Sequence, residues 1–121
     1  MPDWLAPGPP PPEFWSDERC HITEVLNLTA SPDASLALAR VAPGVTTRLH
    51  AVLGTVERYV ILSGHGLVEV GGETAPVGPG DRVLIPAGVP QRIGNTGSDD
   101  LVFHCLCTPR FRQEAYRDLE A

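Results

Sequence analysis

Hydrophobic and polar positions alternate along most of the chain in segments of strand length. These segments begin near residue 20, are rich in Val, Ile, Leu and Thr, and each spans roughly four to eight residues. Clusters of Gly, Pro, Asn, Asp and Ser separate them at close and fairly regular intervals. The pattern predicts an all-β barrel or sandwich. The strand-like segments are CHITEVLN, SLALARVA, ERYVIL, GLVEV, DRVLI and DLVFHCLC.

The N-terminal residues depart from this pattern. Their run of prolines excludes both a helix and an interior strand, because proline fixes φ and lacks an N–H donor. We therefore expect an extended, Pro-rich arm over residues 1–18, followed by a β-domain over residues 19–110. The arm is either a mobile tail or a segment that docks on a neighbouring surface through Trp4, Phe14 and Trp15.

The C-terminal residues 111–121 carry a helical periodicity instead. Phe111, Ala115 and Leu119 recur at intervals of four residues, which places them along one stripe of a helix. The sequence therefore predicts a short C-terminal helix after the β-domain.

Length and charge narrow the possible partners. The chain has 121 residues, which suits a single domain, and its formal net charge is −6. All nine basic residues are arginines scattered without a run, so we expect no binding to nucleic acid or to an anionic membrane. The absence of lysine excludes Schiff-base chemistry by this chain.

The cellular location of the protein is inferred from its apolar segments, its first residues and its cysteines. No apolar segment approaches the roughly 20 residues of a membrane span, and the first residues lack the basic-then-apolar order of a secretory signal. The three cysteines, Cys20, Cys105 and Cys107, are an odd number and are too sparse for a disulfide scaffold. These features predict a cytoplasmic protein with reduced thiols.

Two spacings in the middle of the chain carry candidate chemistry. In the first, five residues separate Gly44 from His50, one separates His50 from Val52, four precede Glu57, and six precede Gly64. This order resembles the first motif of the cupin superfamily, in which a second histidine stands at the position of Val52.

The second spacing begins at Gly80. Five residues precede Pro86, one separates it from Gly88, two precede Gln91, and three precede Asn95. This order resembles the second cupin motif, in which a histidine stands at the position of Gln91. The surrounding sequence is similar to small cupins in which glutamine regularly takes that position, including proposed polyketide cyclases.

The resemblance covers about residues 36–109 and implies a fold, a cofactor and an assembly. The fold is a double-stranded β-helix barrel of two packed antiparallel sheets, and small cupins of this kind pair as homodimers. The cofactor is one divalent metal, which the resemblance assigns to His50, Glu57 and Gln91, while Val52 cannot bind a metal. This nitrogen and oxygen set suits Zn, Mn, Fe or Ni, and we expect Zn.

Strand alternation supports an inward direction for two of these residues. Arg48, His50 and Val52 share one face of a strand, and Glu57 and Tyr59 share one face of the next. A turn at LGT folds the two strands into a hairpin, so that His50 and Glu57 can point into the same interior. A buried carboxylate is costly unless it is paired, and a metal would supply that pairing.

The remaining site candidates are substrate contacts. Tyr59 either offers its hydroxyl to substrate, with a catalytic role in proton transfer, or packs in the core. Arg48 either reaches a substrate carboxylate or phenolate, or forms a salt bridge at the barrel rim. The resemblance of the last strand to cupin sequences assigns Phe103, Cys105 and Cys107 to the pocket wall, and directs His104 away from it.

These features leave three functions open. The first is a Lewis-acid enzyme of the cyclase, isomerase or lyase type that acts on a small carbonyl or phenolic compound. The second is a small-molecule-binding module without turnover. The third is a metal-dependent dioxygenase, which is weakened because the usual facial set needs two histidines.

Overall fold

The structure, a computed structural model, describes residues 2–120 of the chain. It is built from eleven strands whose pairings are all antiparallel, and one 3-10 turn at Gln113–Ala115. The strands are β1 (Phe14–Trp15), β2 (His21–Leu26), β3 (Ser35–Val41), β4 (His50–Val52), β5 (Val56–Ser63), β6 (Gly66–Val70), β7 (Glu73–Val77), β8 (Arg82–Ile85), β9 (Gln91–Asn95), β10 (Leu101–Thr108) and β11 (Tyr116–Asp118).

The strands form two sheets. The first contains six strands in the order β1-β2-β3-β10-β5-β8, and the second contains five in the order β11-β4-β9-β6-β7. The predicted all-β fold of two antiparallel sheets is confirmed.

Alternation along the strands builds the core between the sheets. On β5, Tyr59 and Ile61 are buried while Val60 and Leu62 are exposed, as the period of two requires. The inward residues of the other strands complete one apolar cluster. Its almost fully buried aliphatic members are Val41, Ile61, Ile85, Ile93 and Leu101.

The N-terminal segment is only partly extended. Residues 2–13 contain neither strand nor helix and bend twice, and Trp4 is 84% exposed. A continuous extended arm is therefore not confirmed. Phe14 and Trp15 pair with β2, and the Trp15 ring meets the His21 ring edge-on at 5.0 Å. Met1, which also belongs to the predicted arm, lies outside the described residues.

The predicted C-terminal helix over residues 111–121 is wrong for the part of it that the structure describes. After the 3-10 turn, β11 pairs with β4, and the Leu119 N–H donates to the Leu49 carbonyl. The free edge of β4 supplies hydrogen bonds to this segment, whereas the thin apolar stripe has little to pack against, since Leu119 is 44% exposed. Ala121 lies outside the described residues.

Across residues 2–120, no helix has the length and apolar character needed to cross a membrane.

Candidate functional site

A cavity of about 500 Å³ lies inside the barrel. Strands of both sheets contribute to its wall, and so does the segment between β1 and β2. The wall combines apolar side chains with several buried polar groups. The groups that matter for its chemistry are Glu18, His50, Glu57, Tyr59, Cys105 and Cys107.

Glu57 is the central carboxylate of this cavity. It is 6% exposed and accepts a short hydrogen bond from the side-chain amide of Gln91. The Tyr59 hydroxyl in turn donates to Gln91 Oε1 at 2.5 Å. Burial raises the pKa of Tyr59 well above its usual value, so the phenol keeps its proton. Gln91 therefore links a carboxylate to a protonated phenol through both ends of its amide.

Two thiols complete the surroundings of Glu57. Cys107 lies directly opposite Glu57 in the β10 and β5 register, and Cys105 lies opposite Tyr59. Cys105 Sγ is 2.8 Å and Cys107 Sγ 3.8 Å from Glu57 Oε2, and the two sulfurs are 3.9 Å apart. The contact with Cys107, together with burial and the Glu57 charge, raises the pKa of Cys105. The thiols thus lie against the carboxylate as hydrogen-bond donors.

His50 has a different partner, Glu18, which lies between β1 and β2. His50 Nδ1 is 2.7 Å from the Arg48 carbonyl oxygen, which can only accept, so Nδ1 carries a proton. His50 Nε2 is 3.1 Å from Glu18 Oε1, and burial raises the pKa of Glu18. The Tyr116 ring stacks on the imidazole with centroids 5.0 Å apart. His50 and Glu18 therefore face each other at the cavity wall.

The structure brings some of the predicted metal ligands together. Glu57 and Gln91 are hydrogen-bonded, and His50 is the backbone partner of Gln91 where β4 meets β9. The imidazole Nε2, however, faces Glu18. Binding of one metal by His50, Glu57 and Gln91 stays a prediction. Val52 is a core residue with 2% exposure.

The predicted substrate contacts occupy several positions. Tyr59 and Phe103 pack with ring centroids 4.5 Å apart, and both line the cavity. Arg48 also lines it, and its guanidinium forms a salt bridge with Asp118 at 3.0 Å. His104 lies on β10 between Phe103 and Cys105, on the opposite face of the strand.

Sequence reasoning missed two features of the site. Glu18 lies 32 residues before His50, outside both motifs, and no local pattern marks it as a partner. The sulfurs of Cys105 and Cys107 are 3.9 Å apart, closer than the roughly 6.6 Å repeat of a strand, so the two side chains incline toward each other. The spacing of two residues on a predicted pocket strand was the available signal.

One set of donor atoms has the spacing of a metal site. Among the described residues, a ligand atom from each of Glu57, Cys105 and Cys107 lies within 4.8 Å of the others. Carboxylate oxygen and thiolate sulfur are both ligands of divalent transition metals. The set therefore fits a metal ion, without fixing which one.

A comparison with known families decides the class of the barrel. The family described as "Cupin domain" matches residues 37–107, more than half of the chain. The chain belongs to the cupin family. This family commonly binds a metal, and here Glu57 with its two thiols is a possible site.

Individual proteins are similar to this chain in sequence or in fold. The uncharacterized protein MJ1618 of Methanocaldococcus jannaschii is 35% identical over 94 residues, which cover 78% of this chain and 75% of that protein. A predicted oxalate decarboxylase of Thermotoga maritima has a TM-score of 0.73 and 27% identity, covering 83% of this chain and 92% of that chain. A Streptomyces Pac13 variant with uridine has a TM-score of 0.78 at 15% identity, covering 95% and 92% respectively, and shows the fold alone.

Proposed function

We propose that this cupin is a Lewis-acid enzyme of the cyclase, isomerase or lyase type, acting on a small carbonyl or phenolic compound inside the barrel. The observation that carries the proposal is the position of Glu57, a carboxylate with 6% exposure in the wall of a cavity of about 500 Å³. A cavity of this size accommodates a small organic ligand.

The polar groups of the cavity support a catalytic role over simple packing. Burying a carboxylate, an imidazole and a phenol costs free energy, whereas burying apolar side chains in the same places would not. Glu57, Gln91 and Tyr59 form one hydrogen-bonded chain, and His50 and Glu18 form a second pair. Groups of this kind at a cavity wall are typical of sites where protons are moved.

A divalent metal would be centred on Glu57. The sequence predicts His50 and Gln91 as further ligands, and for that role His50 Nε2 would turn from Glu18, and Gln91 Oε1 from Tyr59. The metal, when bound, supplies a Lewis acid that polarises a carbonyl or phenolic oxygen. We propose Zn, with Mn, Fe and Ni as the alternatives.

The chain itself supplies binding and proton transfer. Glu18 lines the cavity, and burial raises its pKa, so its carboxyl group can exchange a proton with a substrate carbon or oxygen there. Tyr59, packed on Phe103, presents its hydroxyl in the same cavity as a hydrogen-bond donor. Because the chain has no lysine, such chemistry favours substrates that already enolise readily, such as 1,3-dicarbonyl compounds.

One related structure agrees with this class. The Thermotoga maritima cupin is described as a predicted oxalate decarboxylase, and a decarboxylase is a lyase. That description supports a lyase-type reaction and leaves the substrate of this chain to experiment.

The test is to titrate the Zn-loaded protein with 1,3-dicarbonyl and phenolic compounds by calorimetry, and to measure their turnover by chromatography. We expect saturable binding with turnover, and we expect Glu18→Gln to reduce turnover by about 100-fold or more. Glu73→Gln, a change of the same kind on exposed β7, should leave turnover unchanged.

Two results would overturn the proposal. Turnover that occurs only with Fe(II) and consumes oxygen would identify a dioxygenase. Saturable binding without turnover would identify a small-molecule-binding module.

A further inference from the structure

We infer that the metal of this barrel is held by Glu57, Cys105 and Cys107 as a carboxylate and two thiolates, and that the site selects Zn(II) and similar thiophilic ions. The inference rests on the proposed metal at Glu57, although it does not require turnover. In this site, Cys105 and Cys107 of β10 take the place of His50 and Gln91 as the ligands that accompany Glu57.

The sheet register brings the three residues together. Glu57 and Cys107 are directly opposite on neighbouring strands, and Cys105 lies two residues before Cys107 on the same face. Side chains at such positions point to one side of the sheet, which here is the cavity side. The donor atoms are therefore placed by backbone pairing and not by a flexible loop.

The distance between the two sulfurs matches a tetrahedral zinc site, and the oxygen–sulfur distances bracket the value that such a site requires. Zn–S bonds of about 2.3 Å at a tetrahedral angle require two sulfurs to lie about 3.8 Å apart. Cys105 Sγ and Cys107 Sγ are 3.9 Å apart. Zn–O bonds of about 2.0 to 2.2 Å require about 3.5 Å between oxygen and sulfur. Glu57 Oε2 is 2.8 Å from Cys105 Sγ and 3.8 Å from Cys107 Sγ, on either side of that value.

Metal binding replaces protons at these atoms. Each thiol gives up its proton to solvent when its sulfur binds the ion, and the Glu57 carboxylate exchanges the thiol hydrogen bonds for a bond to the metal. One Zn(II) then neutralises two of the three negative charges on one carboxylate and two thiolates. The fourth tetrahedral position remains open to the cavity, as in catalytic zinc sites.

The other predicted ligands are less readily available. His50 Nε2 is paired with Glu18, and both ends of the Gln91 amide are hydrogen-bonded. Recruiting them would break contacts in two parts of the cavity, whereas the thiols already lie against Glu57. Thiolate ligands also favour Zn over Mn or Mg, a preference that a set of imidazole, carboxylate and amide does not provide.

The experiment is to add Co(II) to the metal-free full-length protein under reducing conditions and record the near-ultraviolet absorption of thiolate-to-cobalt charge transfer. Binding by calorimetry and the protons released to the buffer are measured in parallel. We expect one Co(II) per chain, a thiolate band, proton release, and displacement by Zn(II) but not by Mg(II).

Single cysteine variants test the two sulfur ligands, and a third cysteine provides the control. Cys105→Ser and Cys107→Ser should each reduce the thiolate intensity, since one thiolate remains, and weaken Zn(II) binding by about 100-fold or more, since direct ligands exceed the 10-fold to 100-fold effect of outer partners. Cys20→Ser should keep both properties, because the buried Cys20 thiol contacts Ser16 and lies outside the cluster. Urea unfolding checks that each variant is folded.

The outcomes separate this inference from the proposed function. Stoichiometric binding without a thiolate band, lost in His50→Ala, would overturn the thiolate site and leave a metal at Glu57 intact. Failure of the wild-type protein to bind Co(II) or Zn(II) would overturn both the thiolate site and the Lewis-acid function.

Discussion

At the scale of single residues, the two tyrosines of the cavity differ in their hydrogen bonds. The Tyr59 hydroxyl donates to Gln91 Oε1. Among residues 2–120 the Tyr116 hydroxyl is buried without a hydrogen-bond partner, although its ring stacks on His50. An unpaired buried hydroxyl costs free energy, whereas a paired one contributes about 1 kcal/mol.

The same substitution to phenylalanine should therefore change the free energy of unfolding differently at the two tyrosines. Tyr59→Phe should lower the free energy of unfolding by about 1 to 2 kcal/mol, because it leaves Gln91 Oε1 unpaired. Tyr116→Phe should leave it unchanged or raise it by about 1 kcal/mol. Urea denaturation of both variants measures the difference. Equal destabilisation by the two changes would contradict this account.

At the scale of elements, the turn between β5 and β6 depends on close backbone approach. Gly64 has a φ of +86°, and a Cβ there would lie 2.5 Å from the Asp100 carbonyl oxygen and 2.8 Å from Leu101 Cα. Gly72, between β6 and β7, has the same φ of +86° but open space around it. The two turns share a backbone conformation and differ in their packing.

This contrast predicts the cost of adding a methyl group. Gly72→Ala should lower the free energy of unfolding by about 1 to 2 kcal/mol, the cost of a positive φ. Gly64→Ala should cost at least about 2 kcal/mol more, because the backbone atoms of Asp100 and Leu101 must also move. Chemical denaturation of the pair checks the prediction, and similar values for both would refute the role of packing at Gly64.

At the scale of the whole molecule, the outer face of the first sheet carries exposed apolar side chains beside Arg58 and Arg82. Val60, Leu62, Leu84 and Leu106 project from β5, β8 and β10 with exposures between 37% and 62%. These residues face away from the cavity, as the alternation with Glu57, Ile85 and the cysteines requires. The homodimer implied by the cupin resemblance would cover this face.

The dimer stays a prediction with a direct test. Light scattering at micromolar concentration should give twice the 13.0 kDa chain mass. Leu84→Arg should shift the protein toward the monomer, because it places a charge at the predicted interface. Leu67→Arg, at an exposed leucine of β6 in the second sheet, is the control. A monomeric wild-type protein would contradict the prediction.

The sequence by itself determined the fold and the direction of individual side chains. Alternation has a period of two in any strand, so it placed Glu57 and Tyr59 on the buried face of β5 before the fold was known. Turn residues separated the strands. These are local properties, which neighbouring residues decide. The predicted hairpin of the strands that carry His50 and Glu57 is wrong, because β4 and β5 lie in different sheets.

Only the tertiary structure decided which groups meet across the barrel. Glu18 reaches His50 because the segment between β1 and β2 lies beside Arg48, whose N–H donates to the Glu18 carbonyl oxygen. This contact spans 32 residues of sequence, and no spacing encodes it. The 111–121 segment became a turn and β11 because the edge of β4 offered backbone partners. The thiols of Cys105 and Cys107 converge on Glu57 because the pairing of β5 with β10 fixes their register. Local periodicity sets which way a side chain points, whereas sheet order and register set what it touches.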